Sequence, residues 1–342
     1  MRPTVHDVAE AAGVSLATVD RVLNRRAGVR SETIERVETA IARLGYVRDV
    51  AAANLAKSRV YRFAFIVPEG PNSFMRGLER EIELSGLRSR LERTDIRIIK
   101  VPPFDGAALA AALNGLETAD LSGVALVAAG SPAVIAALER LHRRGVEIVT
   151  LVSDIEVVSR SHYVGIDNVA AGRTAAGLLG RFVGGRAGTI ALVVGSMAVR
   201  DHVERCDGFR AVIAAEYPGL DVLPPLEGRD DARTAGRLLR DTLAARDDIV
   251  GLYSVGAGNR GVIEALRDRS ASLPHIAVVA HELTDHARQA LADGTFDAVI
   301  NQDAGHEVRS AIRVLKAKVD GLPVIDAQET IRIEIYLRDN VP

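Results

Sequence analysis

The sequence predicts two parts of different class: an all-α head at the N-terminus, and behind it an α/β body of two doubly wound lobes with parallel sheets. Three observations carry this. Up to Leu44 the apolar residues recur at helical spacing, with no strand-like run between them. From Tyr61 onward short apolar runs alternate with amphipathic helical stretches, the pattern of parallel strands joined by crossover helices. The chain's 342 residues, 48% hydrophobic and 26% charged, exceed what one small domain needs and have the composition of a soluble globular protein.

In the head, Thr4 and Asp7 make a capping-box-like start, and Val5, Val8, Ala9 and Ala12 supply the apolar stripe of a first helix. Gly13 can take positive φ and close it. Ser15 then offers its hydroxyl oxygen as an N-cap. In the helix that follows, Val19, Val22 and Leu23 point inward, while Leu16, Ala17, Asp20 and Arg21 fall on the other side. Two short helices joined by a Gly-containing turn can be a plain helical hairpin or a helix-turn-helix, the motif that lays its second helix in the major groove of DNA. A third helix starts at Ser31 and runs over 32–44, with Ile34, Val37, Ile41 and Leu44 buried and Gly45 as its C-cap. Three such helices can enclose a small core.

The run Val5-x-Asp7-Val8-Ala9-x-x-Ala12-Gly13-Val14-Ser15-x-x-Thr18-Val19-x-Arg21-Val22-Leu23-Asn24 is followed by Val37-Glu38-x-Ala40-Ile41-x-x-Leu44-Gly45-Tyr46 and Ala51-Ala52-x-x-Leu55-Ala56. Together they closely resemble the head of the lactose-repressor/galactose-repressor (LacI/GalR) family. The resemblance implies a DNA-binding head at 1–48, a hinge helix or linker at 49–59, and a ligand-binding and dimerisation core at 60–342. It further implies a homodimer on a pseudo-palindromic double-stranded DNA operator, controlled by a small sugar or polyol effector.

On this reading Leu16, Ala17 and Arg21 reach base edges, the arginine to guanine and the apolar pair to a thymine methyl. Thr4, Ser15, Thr18 and Asn24 suit phosphates and register. Asp20 departs from the family, which usually has a small hydroxyl residue there. Its carboxylate must accept from a cytosine amino group, pair with Arg21 or Arg25, or lower affinity. Over 50–57 the family folds a hinge helix only when two subunits sit on an operator, and Leu55 stands at the position that wedges into the minor groove. So short a helix is unstable alone, which couples its folding to DNA. Arg48 replaces a proline often found there.

Charge is divided along the chain. The first 60 residues carry ten basic and seven acidic side chains, against 33 and 38 in the remainder, so a basic head precedes an acidic body. Cys206 is the single cysteine, which excludes an internal disulfide and fits a reducing compartment. No apolar run reaches the ~18 residues of a membrane span, and no export signal precedes the first helix, so a cytoplasmic protein is expected. No metal-ligand spacing is present, and neither metal nor cofactor is expected.

In the body, strands are expected over 62–67, 96–101, 124–128, 148–151, 190–194, 251–254, 276–280, 298–300 and 330–335. Helices are expected over 73–93, 107–119, 132–144, 170–183, 203–216, 232–244, 261–268, 285–293 and 305–319. The arrangement resembles the periplasmic-binding-protein type I fold as the family carries it, with crossovers near 165, 295 and 325. The first lobe is then about 60–165 and 295–325, the second about 166–294 and 326–342.

Two such lobes turn the C-terminal ends of their strands to one cleft, where ligands bind. The polar residues after the strands are Asn72, Ser153, Asp154, Asp167, Asn168, Arg205, Asn259, His281, Glu282, Asn301 and Gln302, with Phe74 beside the first. By resemblance to sugar-binding members, Asn72 and Phe74 match an Asn and a stacking ring, Arg205 matches an Arg that grips hydroxyls, and Gln302 matches a Gln. Glu282 stands for the usual Asp. Ser153-Asp154 replaces an Asp-Arg pair, and Val255-Gly256 stands where Asn-Asp is common, so ribose itself is not implied. Asp167 and Asn168 have a second reading as the cap of a helix, and His281 one as a core residue.

Enzyme readings find no support. Val67-Pro68-Glu69-Gly70-Pro71 follows the first strand in place of Gly-x-Gly-x-x-Gly, and neither a Walker A sequence nor a nucleophile elbow occurs. Gly256-Ala257-Gly258-Asn259-Arg260-Gly261 fits the dinucleotide pattern but lies deep in the second lobe without the rest of that unit. The expectation is a repressor of a carbohydrate operon, with inducer and corepressor both open. A solute-binding protein of a transporter or receptor is the alternative, set aside because of the head and the missing export signal.

Overall fold

The computed structural model describes residues 3–23, 26–46, 59–156, 159–256, 258–269 and 273–342. The chain divides into two units, Met1–Arg59 and Val60–Pro342. In the first, α1 (Val5–Ala12), α2 (Leu16–Leu23) and α3 (Ser31–Leu44) each place one valine, Val8, Val19 and Val37, at 0% exposure in a shared core. The capping box forms: Thr4 N donates to Asp7 Oδ2 at 2.7 Å and Asp7 N to Thr4 Oγ1 at 3.3 Å. Gly13 closes α1 at φ 63°. Arg36 of α3 donates to the carbonyls of Ala12 and Gly13 at 2.6 and 3.1 Å, a cation where the helix dipole is negative. α3 starts at Ser31 itself, after an Arg30 cap that makes no side-chain bond. Asn24, Leu55 and nearly all of the expected hinge lie outside the described residues.

The second unit holds two sheets. β1 (Tyr61–Pro68), β2 (Thr94–Val101), β3 (Gly123–Leu126), β4 (Glu147–Leu151) and β5 (His162–Val164) form an all-parallel sheet in the order β2-β1-β3-β4-β5. Its crossovers are α4 (Ser73–Ser89), α5 (Gly106–Asn114) and α6 (Pro132–Arg143). β1 is an interior strand, and Phe63, Ala64, Phe65 and Ile66 are all buried, as a strand covered on both faces requires.

The second sheet contains β6 (Gly188–Val194), β7 (Leu220–Val222), β8 (Leu226–Glu227), β9 (Ile249–Ser254), β10 (Ala277–His281), β11 (Ala298–Asn301) and β12 (Glu334–Tyr336), in the order β12-β11-β10-β9-β6-β7, with β8 on β6. It is parallel except where β12 returns antiparallel to β11. Its helices are α7 (Asn168–Val183), α8 (Arg200–Glu216), α9 (Ala232–Ala245), α10 (Asn259–Arg267) and α11 (Asp285–Ala292).

Two expected crossings move. The return to the first lobe was placed near 295, but 298–301 is a strand of the second sheet, paired with β10 and β12 on its two sides. Ala298, Val299 and Ile300 are fully buried and need both neighbours. The chain crosses only after Asn301, entering α12 (Ala304–Asp320), which packs on α4 and on β3, β4 and β5. It stays with the first lobe through α13 (Asp326–Glu329), where Glu329 pairs with Arg313 at 2.7 Å, so the last crossing follows 329 rather than 325. The short strands β5, β7 and β8 were not foreseen.

Candidate functional site

The strand ends of the two sheets face a cleft with an empty volume of about 670 Å³. The first lobe lines it with Asn72, Ser73, Phe74, Met75 and Val152. The second contributes Asp201, His202, Arg205, Asp230, Asn259, Arg260, His281, Glu282, Thr284 and His286, and Gln302 lies at the crossing.

Arg205 sits where α7 and α8 touch backbone to backbone. A methyl group on Gly172 would collide with the backbone of Arg205, and one on Gly208 with that of Val169. This approach sinks Arg205 to 2% exposure. Its Nε donates to Asn168 Oδ1 at 2.8 Å and its Nη1 to the Val255 carbonyl at 3.0 Å, with Glu282 Oε1 at 3.9 Å. Nη2 is buried without a partner. Glu282, held at φ 68°, accepts from Gln302 Nε2 at 2.8 Å, while its Oε2 and Gln302 Oε1 are unpartnered. Burial pushes the Glu282 carboxyl up to about 7, against the lowering effect of Arg205 and Gln302.

His281 meets the Tyr253 hydroxyl at 2.7 Å through Nε2, and Tyr253 stacks on Phe209 at 4.7 Å between ring centroids. Burial, then the charges of Arg205 and His202, hold this imidazole well below its ordinary pKa, so it is neutral. Its Nδ1 is unpartnered. Asn259 is tied to the protein: Nδ2 donates to the His281 carbonyl at 2.9 Å and Oδ1 accepts from Ser254 at 2.6 Å.

Among the described residues, three polar bridges join the lobes across the cleft. Asn72 Nδ2 donates to Asp230 Oδ2 at 2.6 Å, Arg260 Nη2 to Ser73 Oγ at 3.2 Å, and Arg200 lies 3.5 Å from Glu156. Asn72 also caps α4, its Oδ1 accepting from Phe74 N and Met75 N. Burial raises the Asp230 carboxyl, against the lowering effects of His202 and the Asn72 bond. His202 fits because residues 195 and 256 are glycines: a methyl on either would strike its ring.

Of the residues expected at the effector, the structure brings Asn72, Phe74, Arg205, Asn259, Glu282 and Gln302 to one cavity. Ser153 lines an adjoining one, its Oγ buried and unpartnered. Asp154 turns away, accepting from Thr150 Oγ1 at 2.6 Å and pairing with Arg160. Asp167 is exposed and caps α7, accepting from Ala170 N at 2.9 Å, so its neighbour Asn168 is the inward residue. Asn301 serves the fold, bonding Leu283 N and Glu334. Asp201, His202, Asp230 and Arg260 were missed. Asp201 and His202 lie just ahead of the helix expected from 203, and Asp230 lies outside every expected element.

In the head, α2 exposes Leu16, Ala17 and Arg21. Ser15 Oγ accepts from Thr18 N at 3.2 Å and lies 2.9 Å from Thr18 Oγ1. Asp20 pairs with Arg26 at 3.4 Å, a partner not among those foreseen. Among the described residues, no group of three or more His, Cys, Asp or Glu could hold a metal, and no helix is long and apolar enough to cross a membrane.

A family model for a periplasmic binding protein domain matches residues 63–323, and one for bacterial regulatory proteins of the lacI family matches residues 4–49. The HTH-type transcriptional regulator DegA of Bacillus subtilis is 36% identical over 83 residues, 24% of this chain and 25% of that protein. The ribose operon repressor of the same organism is 38% identical over 101 residues, 28% of this chain and 31% of its own length. The matches thus span a quarter to a third of these relatives. Among solved structures, an ABC-transporter solute-binding protein from Burkholderia graminis in complex with D-arabinose superposes with a TM-score of 0.73 at 21% identity, covering 82% of this chain and 96% of the other. Over most of its length the chain belongs to the periplasmic-binding-protein domain family, and its head matches the lacI family of bacterial regulatory proteins.

Proposed function

We propose that this protein is a sequence-specific DNA-binding repressor of a carbohydrate uptake or catabolism operon, controlled by an unphosphorylated sugar or polyol bound between the two lobes of its core. One observation carries the effector reading. Of eleven buried side-chain polar atoms without a partner among the described residues, seven lie on the cleft and the cavity beside it. They belong to Ser153, Asp201, Arg205, Asp230, His281, Glu282 and Gln302. Unpartnered buried polar atoms are costly, and a ring of hydroxyls, each able to donate and accept, would satisfy them. Four of the seven are carboxylate or amide oxygens that accept. A phosphate would face the carboxylates of Asp201, Asp230 and Glu282, which disfavours it.

The lacI-type head supports the DNA half of the proposal, and the similarity to a ribose operon repressor and to a solute-binding protein in complex with D-arabinose agrees with the effector half. Leu16, Ala17 and Arg21 are assigned to base edges and Thr4, Ser15, Thr18 and Asn24 to the backbone. A homodimer on a pseudo-palindromic operator follows from the mirrored symmetry of such complexes. Leu84, Leu87 and Leu91, exposed along one face of α4 and the turn after it, offer the apolar surface for it. Leu55 is assigned to the minor-groove wedge, Leu55→Gly abolishing operator bending. The protein acts in the cytoplasm and is not an enzyme.

The test is fluorescence anisotropy of a selected operator duplex, titrated with pentoses, hexoses, polyols and their phosphates. Release by a neutral compound makes it an inducer, and tightening makes it a corepressor. Tight DNA binding indifferent to every compound sinks the cleft assignment and leaves the head. The likeness of the core to transporter proteins favours one other reading, a solute-binding role; absence of any selectable duplex, with sugar binding intact, would establish it.

A further inference from the structure

A second cavity, with an empty volume of about 560 Å³, opens off the cleft and shares Asn72, Met75, Val152, Asp201, His202 and Asp230 with it. The Asn72–Asp230 hydrogen bond therefore stands where the two chambers meet. Their chemistry differs. The first is ringed by charged and amide groups, whereas the first lobe builds most of the second from Pro68, Val101, Pro102, Pro103, Phe104 and Leu109, with Ser153 and Asp105 as its own polar members, the latter already capping α5 through Ala108 N. The six apolar side chains cannot hydrogen-bond. A hydroxyl pressed against them would give up its water bonds and gain nothing, while an apolar group would release water from both surfaces.

The backbone marks the same place. Six non-glycine residues among those described have φ in the left-handed region, and four of them line the two chambers: Phe104 at 59°, Val152 at 60°, Asp230 at 57° and Glu282 at 68°. For a β-branched valine and a bulky phenylalanine this conformation is costly and persists where the surroundings fix it, typically at binding sites. Val152 lies on the shared wall and Phe104 on the apolar one, so strain extends beyond the polar chamber.

We propose that the second chamber is a subsite for an apolar substituent on the effector, so that the ligand is amphipathic: a polyhydroxylated head in the polar chamber joined to an alkyl or aryl group under Pro102, Pro103 and Phe104. This rests on the reading of the polar chamber as a sugar or polyol site. A glycoside of an aliphatic or aromatic alcohol has this chemistry, and a free monosaccharide in the polar chamber leaves the apolar wall uncovered.

Isothermal titration calorimetry of the full chain tests it, with both anomers of the methyl and phenyl glycosides of arabinose, xylose, glucose and galactose as probes. At least one phenyl glycoside binds about tenfold tighter than its methyl counterpart, the gain expected from burying the ring. Ala129→Phe, which places a ring in the second chamber alone, removes that difference and leaves the methyl glycoside unchanged. Pro103→Asn, a milder change that makes the wall polar, reduces it and serves if the first variant does not fold. Methyl glycosides that bind as tightly as the phenyl compounds overturn the subsite and leave the polar chamber standing. A preference for phenyl that survives both substitutions places the ring elsewhere and also overturns it. Failure of every sugar and glycoside to bind overturns the polar site and the subsite together.

Discussion

Asn72 and Asp230 hold the two lobes together across the cleft: the amide of the first donates to the carboxylate of the second at 2.6 Å, while the amide oxygen of Asn72 caps α4. One side chain thus serves local and interlobe structure at once, and substitution can separate the two. Asn72→Asp keeps an acceptor for Phe74 N and Met75 N but sets a second carboxylate against Asp230. The expected result is looser lobes, read as a larger radius of gyration by small-angle scattering, and about tenfold weaker effector binding. Asn72→Ala loses the cap as well and lowers stability by about 1 kcal/mol. Unchanged scattering and affinity in Asn72→Asp would show that the bridge does not hold the lobes.

Arg205 contacts Asn168, Val255 and Glu282, and keeps Nη2 for the cleft. Only a planar fork reaches all of these together, and a lysine ammonium is a single point. Arg205→Lys is therefore expected to weaken effector binding by about 100-fold or more, roughly 3 kcal/mol, with operator binding in the absence of effector unchanged. Calorimetry with the effector and anisotropy with DNA separate the two. Arg205→Ala is less informative, because breaking so buried a network costs about 3–5 kcal/mol of stability.

The Glu282 carboxyl gives a pH signature. Its folded value, raised to about 7, exceeds the ordinary 4.5, so between these the folded chain holds a proton that the unfolded chain has released. Stability therefore falls as pH rises through that window, by about 1.4 kcal/mol per unit and of the order of 3 kcal/mol in all. Asp230 and Glu307, both raised by burial, act in the same direction. Glu282→Gln removes one proton's share. Urea denaturation at intervals from pH 4.5 to 7.5 should give a shallower decline for the variant, and parallel curves would place the Glu282 titration outside this range.

Much of this was legible in the sequence, for a physical reason. Helix caps and apolar periods are local, so Thr4, Gly13 and Gly45 predicted the ends they form, and the long apolar runs of the central strands stood out. Arg205, Glu282 and Gln302 were found because they follow strands and match a family pattern. Asp230 was not, because its importance comes from Asn72, a residue of the other lobe that no local rule connects to it. The crossing near 295 failed for a related reason. Residues 298–300 look alike whichever sheet they join, and only their pairing with Val279, Ala280 and His281 decides it. Asp154 and Asp167 had the right chemistry and position but found nearer partners in Arg160 and Ala170 N.

The DNA-facing assignment makes the last prediction. Arg21 is exposed on the outer face of α2, one turn from Ala17, and Val19 on the opposite face is fully buried. Arg21→Ala keeps the buried face and introduces the best helix former, so the head should retain its circular dichroism and melting temperature. An arginine that reads guanine contributes about 1–3 kcal/mol of discrimination. Affinity for a selected operator should then fall about five- to 150-fold, and affinity for a scrambled duplex by a much smaller factor. Thr18→Ala, at a position assigned to the DNA backbone, should weaken both duplexes by similar factors. The ratio of the two affinities is the measurement that matters, because loss of one positive charge lowers binding to any DNA. If Arg21→Ala weakened both duplexes equally, Arg21 would be a phosphate contact, and base readout would rest on Leu16 and Ala17.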